Sequence, residues 1–299
     1  SNTDDFITVS RSGRAGVPLI TVSKKTGMIM SLYTPEGKNI LAPPADVGGC
    51  GIMPNFTRAT TDNDRGGIEL LLGFVLPAHF RILSPLILRL YGFIKGFGNL
   101  SHSWWWNLFG FAPNMLPALY CEDFYVHIIE DHLIIVVNLE IKKQNTSMVI
   151  LKQRIVYCIY ENGHISVDIK VMPDIKLKDI PSLPRIGMMA ILDSSMYNMM
   201  YYGRGPVENY PDRKAGTEVG VYMSTAKDNE FNYIVPSENG SKSNCRWVSF
   251  FDSTGSGLCI VSDMESDDLN IGASLNSQIE LQNALHTCDL EPRGNGEGP

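Results

Sequence analysis

With 299 residues the chain is long enough for one large β domain or two smaller units. Hydrophobic residues make up 44% and charged residues 19%, which supplies a packed core and excludes compositional disorder. The formal net charge is −7 with no run of Lys or Arg, so nucleic acid and anionic membranes are poor partners and neutral ligands such as sugars stay open.

Taken in chain order, the opening SNTDDF is polar and acidic and reads as a domain boundary rather than a signal peptide. LITVSKKTGMIMSLYTPEGKNIL then gives three short apolar runs separated by KKTG and PEGK, both good turn sequences. PNFTRATTDNDRGG follows, from Pro54 to Gly67. Its Asp62, Asn63 and Asp64 suit Asx turns, pairing with Arg58, or coordination of a hard cation, although the acidic spacing is not that of an EF-hand.

The stretch from Ile68 to Leu116 breaks the strand pattern. IELLLGFVLPAHFRILSPLILRLYGFIKGF is apolar enough for a membrane span, but His79, Arg81, Arg89 and Lys95 interrupt it and Pro77 and Pro85 break any single helix. It reads as an insertion packed on the β domain or against a neighbour, rather than a membrane segment. Trp104, Trp105 and Trp106 close it, either as a sugar-stacking platform or as core and interface packing.

Strand signals then resume. FYVHIIEDHLIIVVNLEI predicts a hairpin turning at Glu130-Asp131, and SMVILKQRIVYCIYENGHISVDIKVMP predicts two long strands turning at Asn162-Gly163. GRGPVENYPDR, Gly203 to Arg213, looks too rich in turn-formers and charges for a regular strand. Arg204, Glu208, Asp212 and Arg213 can pair with one another to hold it as a rigid corner. WVSFFDSTGSGLCIVSD predicts a last hairpin, and 3.6-residue periodicity is found near Gln278 to His286. These elements predict an all-β fold, a large antiparallel β-sandwich. Six scattered cysteines without a C-x-x-C pair indicate neither a zinc site nor a redox motif, and sequons occur at Asn55, Asn99, Asn145 and Asn239.

Two of these segments carry a resemblance. PNFTRATTDNDRGG resembles the RAPTDND-G signature, and YYGRGPVENYPDRKAG the G-GP-ENYPDR signature, of the C-terminal β domain of glycoside hydrolase family 2 β-galactosidases. KKTGMIMSLYTPEGKNIL, LPRIGMMAIL and YIVPSENGSKSNCRW, with Glu238 and Asn239, agree in order, so the resemblance covers nearly the whole chain. It implies a single domain over 1–299, similar to the galactose-mutarotase supersandwich, with the insertion at about 68–116. Its parent enzyme hydrolyses terminal β-D-galactosides with retention, using two glutamates in a barrel domain absent here.

On that resemblance no residue of this chain is catalytic. Asp62, Asn63, Asp64 and Gly66 would stand at the rim of the substrate site. Arg58, Arg204, Glu208, Asn209, Tyr210, Asp212, Arg213, Glu238 and Asn239 would be structural. The resemblance places no cofactor in this chain, Mg and Na belonging to other domains. The implied partners are the catalytic barrel and other domains of the enzyme, a galactoside, and a second copy in a homo-oligomer. The sequence departs from the family in carrying Thr60 where Pro is usual, and in having neither a tryptophan after Trp247 nor a GGDDSWG tail. These departures keep open a stand-alone carbohydrate-binding module or an interaction domain.

Overall fold

The computed structural model describes residues 2–11, 16–42, 51–65, 102–114, 118–178, 180, 182–263 and 268–290. Its chain divides into two compact units, one of Ser1–Met30 with Ile52–Met189, the other of Ser31–Gly51 with Ala190–Pro299. Residues 68–101 and 115–116 of the expected insertion, Gly66 of the rim loop and Cys50 lie outside the described residues.

The first unit opens with β1 (Phe6–Ser10), β2 (Pro18–Ser23) and the start of β3 (Ile29–Leu32), in that spatial order. KKTG makes the tight connection between β2 and β3. There Gly27 has φ +70°, and a Cβ on it would come within 2.2 Å of Val137 Cγ1, so both backbone and space demand glycine. β4 (Met53–Asn55) pairs with β9 (Gly187–Met189).

The larger sheet of this unit is a four-stranded meander of β5 (Ala118–Ile129), β6 (His132–Lys142), β7 (Val149–Tyr160) and β8 (Ile165–Pro173). Its turns fall at Glu130-Asp131 and at Asn162-Gly163, as the hairpin signals require. On β7 the odd positions Leu151, Gln153, Ile155, Tyr157 and Ile159 are buried while Lys152 and Arg154 are exposed, the two-residue period of a half-buried strand. Tyr157 Oη donates to the Gly27 carbonyl at 3.2 Å, and burial raises its pKa. Helix α1 (His102–Phe109) carries the tryptophan run.

The second unit is built on a four-stranded sheet. Its order is β11 (Glu218–Thr225), β10 (Asn198–Gly205), β13 (Trp247–Phe251) and β14 (Gly257–Val261), all antiparallel. β12 (Lys242–Cys245) pairs with β15 (Leu269–Ile271). Met199, Tyr201, Cys245 and Val248 form a buried cluster packed against Tyr222, Phe250, Leu269 and Ile271. Burial pushes the Cys245 thiol up to about 11, so it behaves as a small apolar core group. Near the C-terminal end, α2 (Gln278–Asn283) starts at Ser277, which with Glu280 forms a capping box.

The fold is all-β and antiparallel, of the β-sandwich class, with no closed barrel among the described residues. One local expectation is corrected. Gly203–Gly205 is not part of an irregular loop but the end of β10, paired with Gly220, Val219 and Glu218 of β11. Gly203 is needed for close approach, since a Cβ there would lie 2.5 Å from Cys245 Sγ and 2.9 Å from its Cα. The corner begins only at the cis Gly205–Pro206 peptide.

Candidate functional site

The first charged segment folds in the first unit as a single helical turn over 62–65, just after an extended stretch. Asp64 faces inward and is 4% exposed, while Asp62 and Asn63 are exposed. Arg58 Nη2 donates to Asp64 Oδ1 at 2.6 Å, and the Thr61 amide donates to Asp64 Oδ2 at 2.9 Å. Arg65 Nε donates to Thr60 Oγ1 at 3.2 Å.

The Arg58 guanidinium also sits 5.4 Å from the centre of the Trp106 ring, an arrangement that favours the cation electrostatically. Trp106 is 1% exposed, and its Nε1 donates to the Ser182 carbonyl at 2.8 Å. Ser182 in turn pairs with His102 Nδ1 at 3.0 Å. The structure therefore joins the DND segment and the tryptophan helix through Arg58, which their separation in sequence did not reveal. It also corrects one alternative: Trp106 offers no open face to a sugar, and half-buried Trp105 stacks on Phe109 at 6.2 Å. The Trp104 side chain lies outside the described residues.

The second charged segment folds in the second unit around Glu208, whose side chain is 8% exposed. Its Oε1 accepts from Tyr233 Oη at 2.5 Å and from Arg213 Nη2, and its Oε2 accepts from the Gly240 amide at 2.6 Å. Arg213 also donates to Tyr233 Oη at 3.1 Å and lies over the Tyr210 ring at 5.6 Å. The phenol and carboxylate beside it raise the Arg213 pKa further. Tyr233 is raised too, first by burial and then by its bond to Glu208.

Buried Asn209 serves as the backbone linchpin. Its amide nitrogen donates to the carbonyls of Arg204 and Val207 at 2.9 and 3.0 Å, and its Oδ1 accepts from the Ser243 amide at 2.8 Å. Asn239 fixes the neighbouring turn, accepting from the Phe231 amide and donating to the Ser237 carbonyl, and Glu238 is buried beside it in sequence.

The expected four-charge pairing is corrected in two members. Arg204 points its guanidinium at the carbonyls of Thr217 and Lys214, at 2.7 and 3.4 Å, because β11 and the turn before it bring those acceptors together. Asp212 is exposed at the turn and pairs with neither arginine. Tyr233, Asn229 and Lys242 were missed. Tyr233 and Lys242 were signalled only by their place in YIVPSENGSKSNCRW, Asn229 by nothing local.

Beside the Glu208 knot lies a cleft of about 770 Å³, whose lining includes Glu208, Arg213, Lys214, Asn229, Phe231 and Lys242. Among the described residues no group of three or more His, Cys, Asp or Glu side chains is placed to hold a metal ion. Asp64 in particular has its oxygens committed to Arg58 and Thr61.

The antiparallel all-β fold, with a buried carboxylate anchor in each unit, puts the chain among β-sandwich domains. Comparison with known proteins then fixes the family. The chain belongs to the β-galactosidase small-chain family, whose model matches residues 18–297. It is 31% identical to a β-galactosidase of Vibrio cholerae serotype O1 over 270 residues, 90% of this chain and 21% of that protein. It is 24% identical to one of Halalkalibacterium halodurans over 271 residues, 91% of this chain and 22% of that protein. A β-galactosidase of Lactobacillus delbrueckii subsp. bulgaricus is 36% identical over 108 residues, 36% of this chain and 10% of that protein. The chain thus spans under a quarter of the length of these relatives.

Proposed function

We propose that this chain is the non-catalytic C-terminal β domain of a retaining β-galactosidase, packing on the catalytic barrel and completing the rim of its substrate site. The observation that carries this reading is how the two signatures use their acids. Retention needs a free nucleophilic carboxylate and a second acid about 5 Å away. Glu208 and Asp64 are instead each fixed by an arginine and a backbone amide. Of the rim residues Asp62, Asn63, Asp64 and Gly66, exposed Asp62 and Asn63, with Gly66, are the proposed contacts to a galactoside. Asp64 braces the turn that carries Asp62 and Asn63, and no cofactor is assigned to this chain.

Packing against other domains of the enzyme, or a second copy, is supported by the outward face of the second unit's sheet. Val221, Tyr202, Trp247 and Val261 stand in one cross-strand row, and Val221 and Val261 are 60% and 66% exposed. Met223, in the next row, is 68% exposed. Exposed apolar rows of this kind mark interfaces.

The purified chain should release no chromophore from a nitrophenyl β-galactoside. Turnover that persists through purification to homogeneity and disappears in Glu208→Gln would overturn the non-catalytic reading.

A further inference from the structure

The cleft beside Glu208 contains a lysine that the knot leaves unpaired. Lys242 is 4% exposed, sits at the start of β12 with its backbone opposite Ile271, and lines the cleft. Its Nζ makes no hydrogen bond or ion pair with any described residue. Glu208 acts on it electrostatically from the cleft wall, but its two oxygens are already bonded to Arg213, Tyr233 and Gly240. The Lys242 stem is buried while its Nζ keeps contact with solvent in the cleft, where the Glu208 charge acts on it and an incoming acid can reach it. Asn229 adds a second unfilled group. It is 4% exposed, its Nδ2 is bonded to the carbonyls of Gly240 and Ala273, and its Oδ1 is buried without a partner.

The lining also restricts what could enter. Arg213, Lys214 and Lys242 are opposed by four carboxylates, those of Glu208, Asp212, Asp228 and Glu230, so a polyanion meets net repulsion. A single negative charge placed against Lys242 meets less, because the nearby Glu208 charge is already offset by Arg213, and ligand hydroxyls can donate to the remaining acids. Phe231 is 55% exposed and tilted against Tyr233 at 4.7 Å between ring centres, which gives a flat apolar wall for a ring. The volume, about 770 Å³, suits a small molecule.

We propose that this cleft is a binding site for a small polyhydroxylated monocarboxylate of the sugar-acid class, its carboxylate paired with Lys242 and its ring against Phe231. The site shares no residue with the proposed galactoside rim and stands or falls without it. Burial lowers the Lys242 pKa, and the nearby Glu208 charge opposes that shift only in part. A bound carboxylate would hold the lysine protonated.

The test is titration calorimetry of the full chain with D-galacturonate and, as the neutral match, D-galactose. Galacturonate should bind, galactose at least tenfold more weakly, and Lys242→Met should abolish the difference. Phe231→Ser should weaken galacturonate binding in a variant whose lysine is intact. Unliganded Lys242→Met should melt no lower than the parent chain, since it keeps the buried stem and removes an amine that makes no hydrogen bond or ion pair in the fold. Absence of galacturonate binding, equal binding of both sugars, or unchanged binding in Lys242→Met would each overturn the proposal. A Lys242→Met variant that melts well below the parent would show that the amine is paired within the fold, and would overturn it too.

Discussion

The two signature segments pose the same problem, a buried carboxylate, and solve it differently. In the first unit Asp64 is held by one guanidinium and one amide, and the guanidinium is itself backed by the Trp106 ring. In the second, Glu208 is held by a guanidinium from its own corner and by a phenol and an amide from the loop before β12, at the wall of a cleft. Asp64 is thus a local brace. Glu208 is a junction that ties the corner after β10 to the loop before β12, and its loss should disturb both. Similar residues at similar density therefore carry different structural weight. What separates them is how many chain segments converge on the acid.

The largest expected effect tests that difference directly. Glu208→Ala leaves the Gly240 amide and Tyr233 Oη without their acceptor and should cost about 3 kcal/mol. Little of that comes from Arg213, whose side chain is 60% exposed and well screened. Asp64→Ala strands Arg58, which is 26% exposed and can reach water, and should cost about 2 kcal/mol. Thermal melts and urea titrations of the two variants would measure both. A Glu208→Ala chain as stable as the parent would break the junction reading, and Glu208→Gln should recover part of the loss because its carbonyl oxygen still accepts.

Much of this was legible in the sequence, and the division has physical reasons. The hairpins at Glu130-Asp131, Asn162-Gly163 and STGSG are set by local turn chemistry and two-residue alternation, both written in consecutive residues. The acids of the two signatures were visible for the same reason. Their partners were not all visible. Arg58 meeting Trp106, and Glu208 meeting Tyr233 and Gly240, depend on long-range pairing that no short window encodes. Lys242 was hidden because a lone lysine in SKSNC reads as solvated until β12 buries it. Gly203 was misread because its role is the space beside Cys245, not its dihedral angle.

A smaller effect probes what backs the Asp64 brace. Trp106→Phe keeps a ring beneath Arg58 but loses the hydrogen bond to the Ser182 carbonyl and part of the buried indole volume. It should cost about 1 to 2 kcal/mol, less than Asp64→Ala. The double variant Asp64→Ala/Trp106→Phe should cost less than the sum of the two, since both act on Arg58. Strict additivity in urea titrations would show that the ring and the carboxylate act independently, and the brace would reduce to a simple ion pair.

The smallest effect concerns an anchored acid that neither signature marks. Asp252 begins the STGSG turn, where its Oδ1 accepts from Thr254 Oγ1 at 2.6 Å and from the Thr254 and Ser256 amides, and Lys38 Nζ lies 3.1 Å from its Oδ2. The Thr254 hydroxyl and then the Lys38 ammonium hold its pKa down at about 2. Because the folded value lies below the unfolded one near 3.8, its contribution is fully present above that value and is lost as pH falls toward about 2. Asp252→Asn should therefore be less stable than the parent at pH 7, and the gap should close on acidification to pH ~2. Its amide oxygen still accepts from the turn, so the loss should stay below that of either signature acid. Paired denaturant titrations at the two pH values would measure the gap. A constant gap would mean the Asn variant suffers from its amide geometry, and that charge at this turn contributes nothing comparable to Glu208 or Asp64.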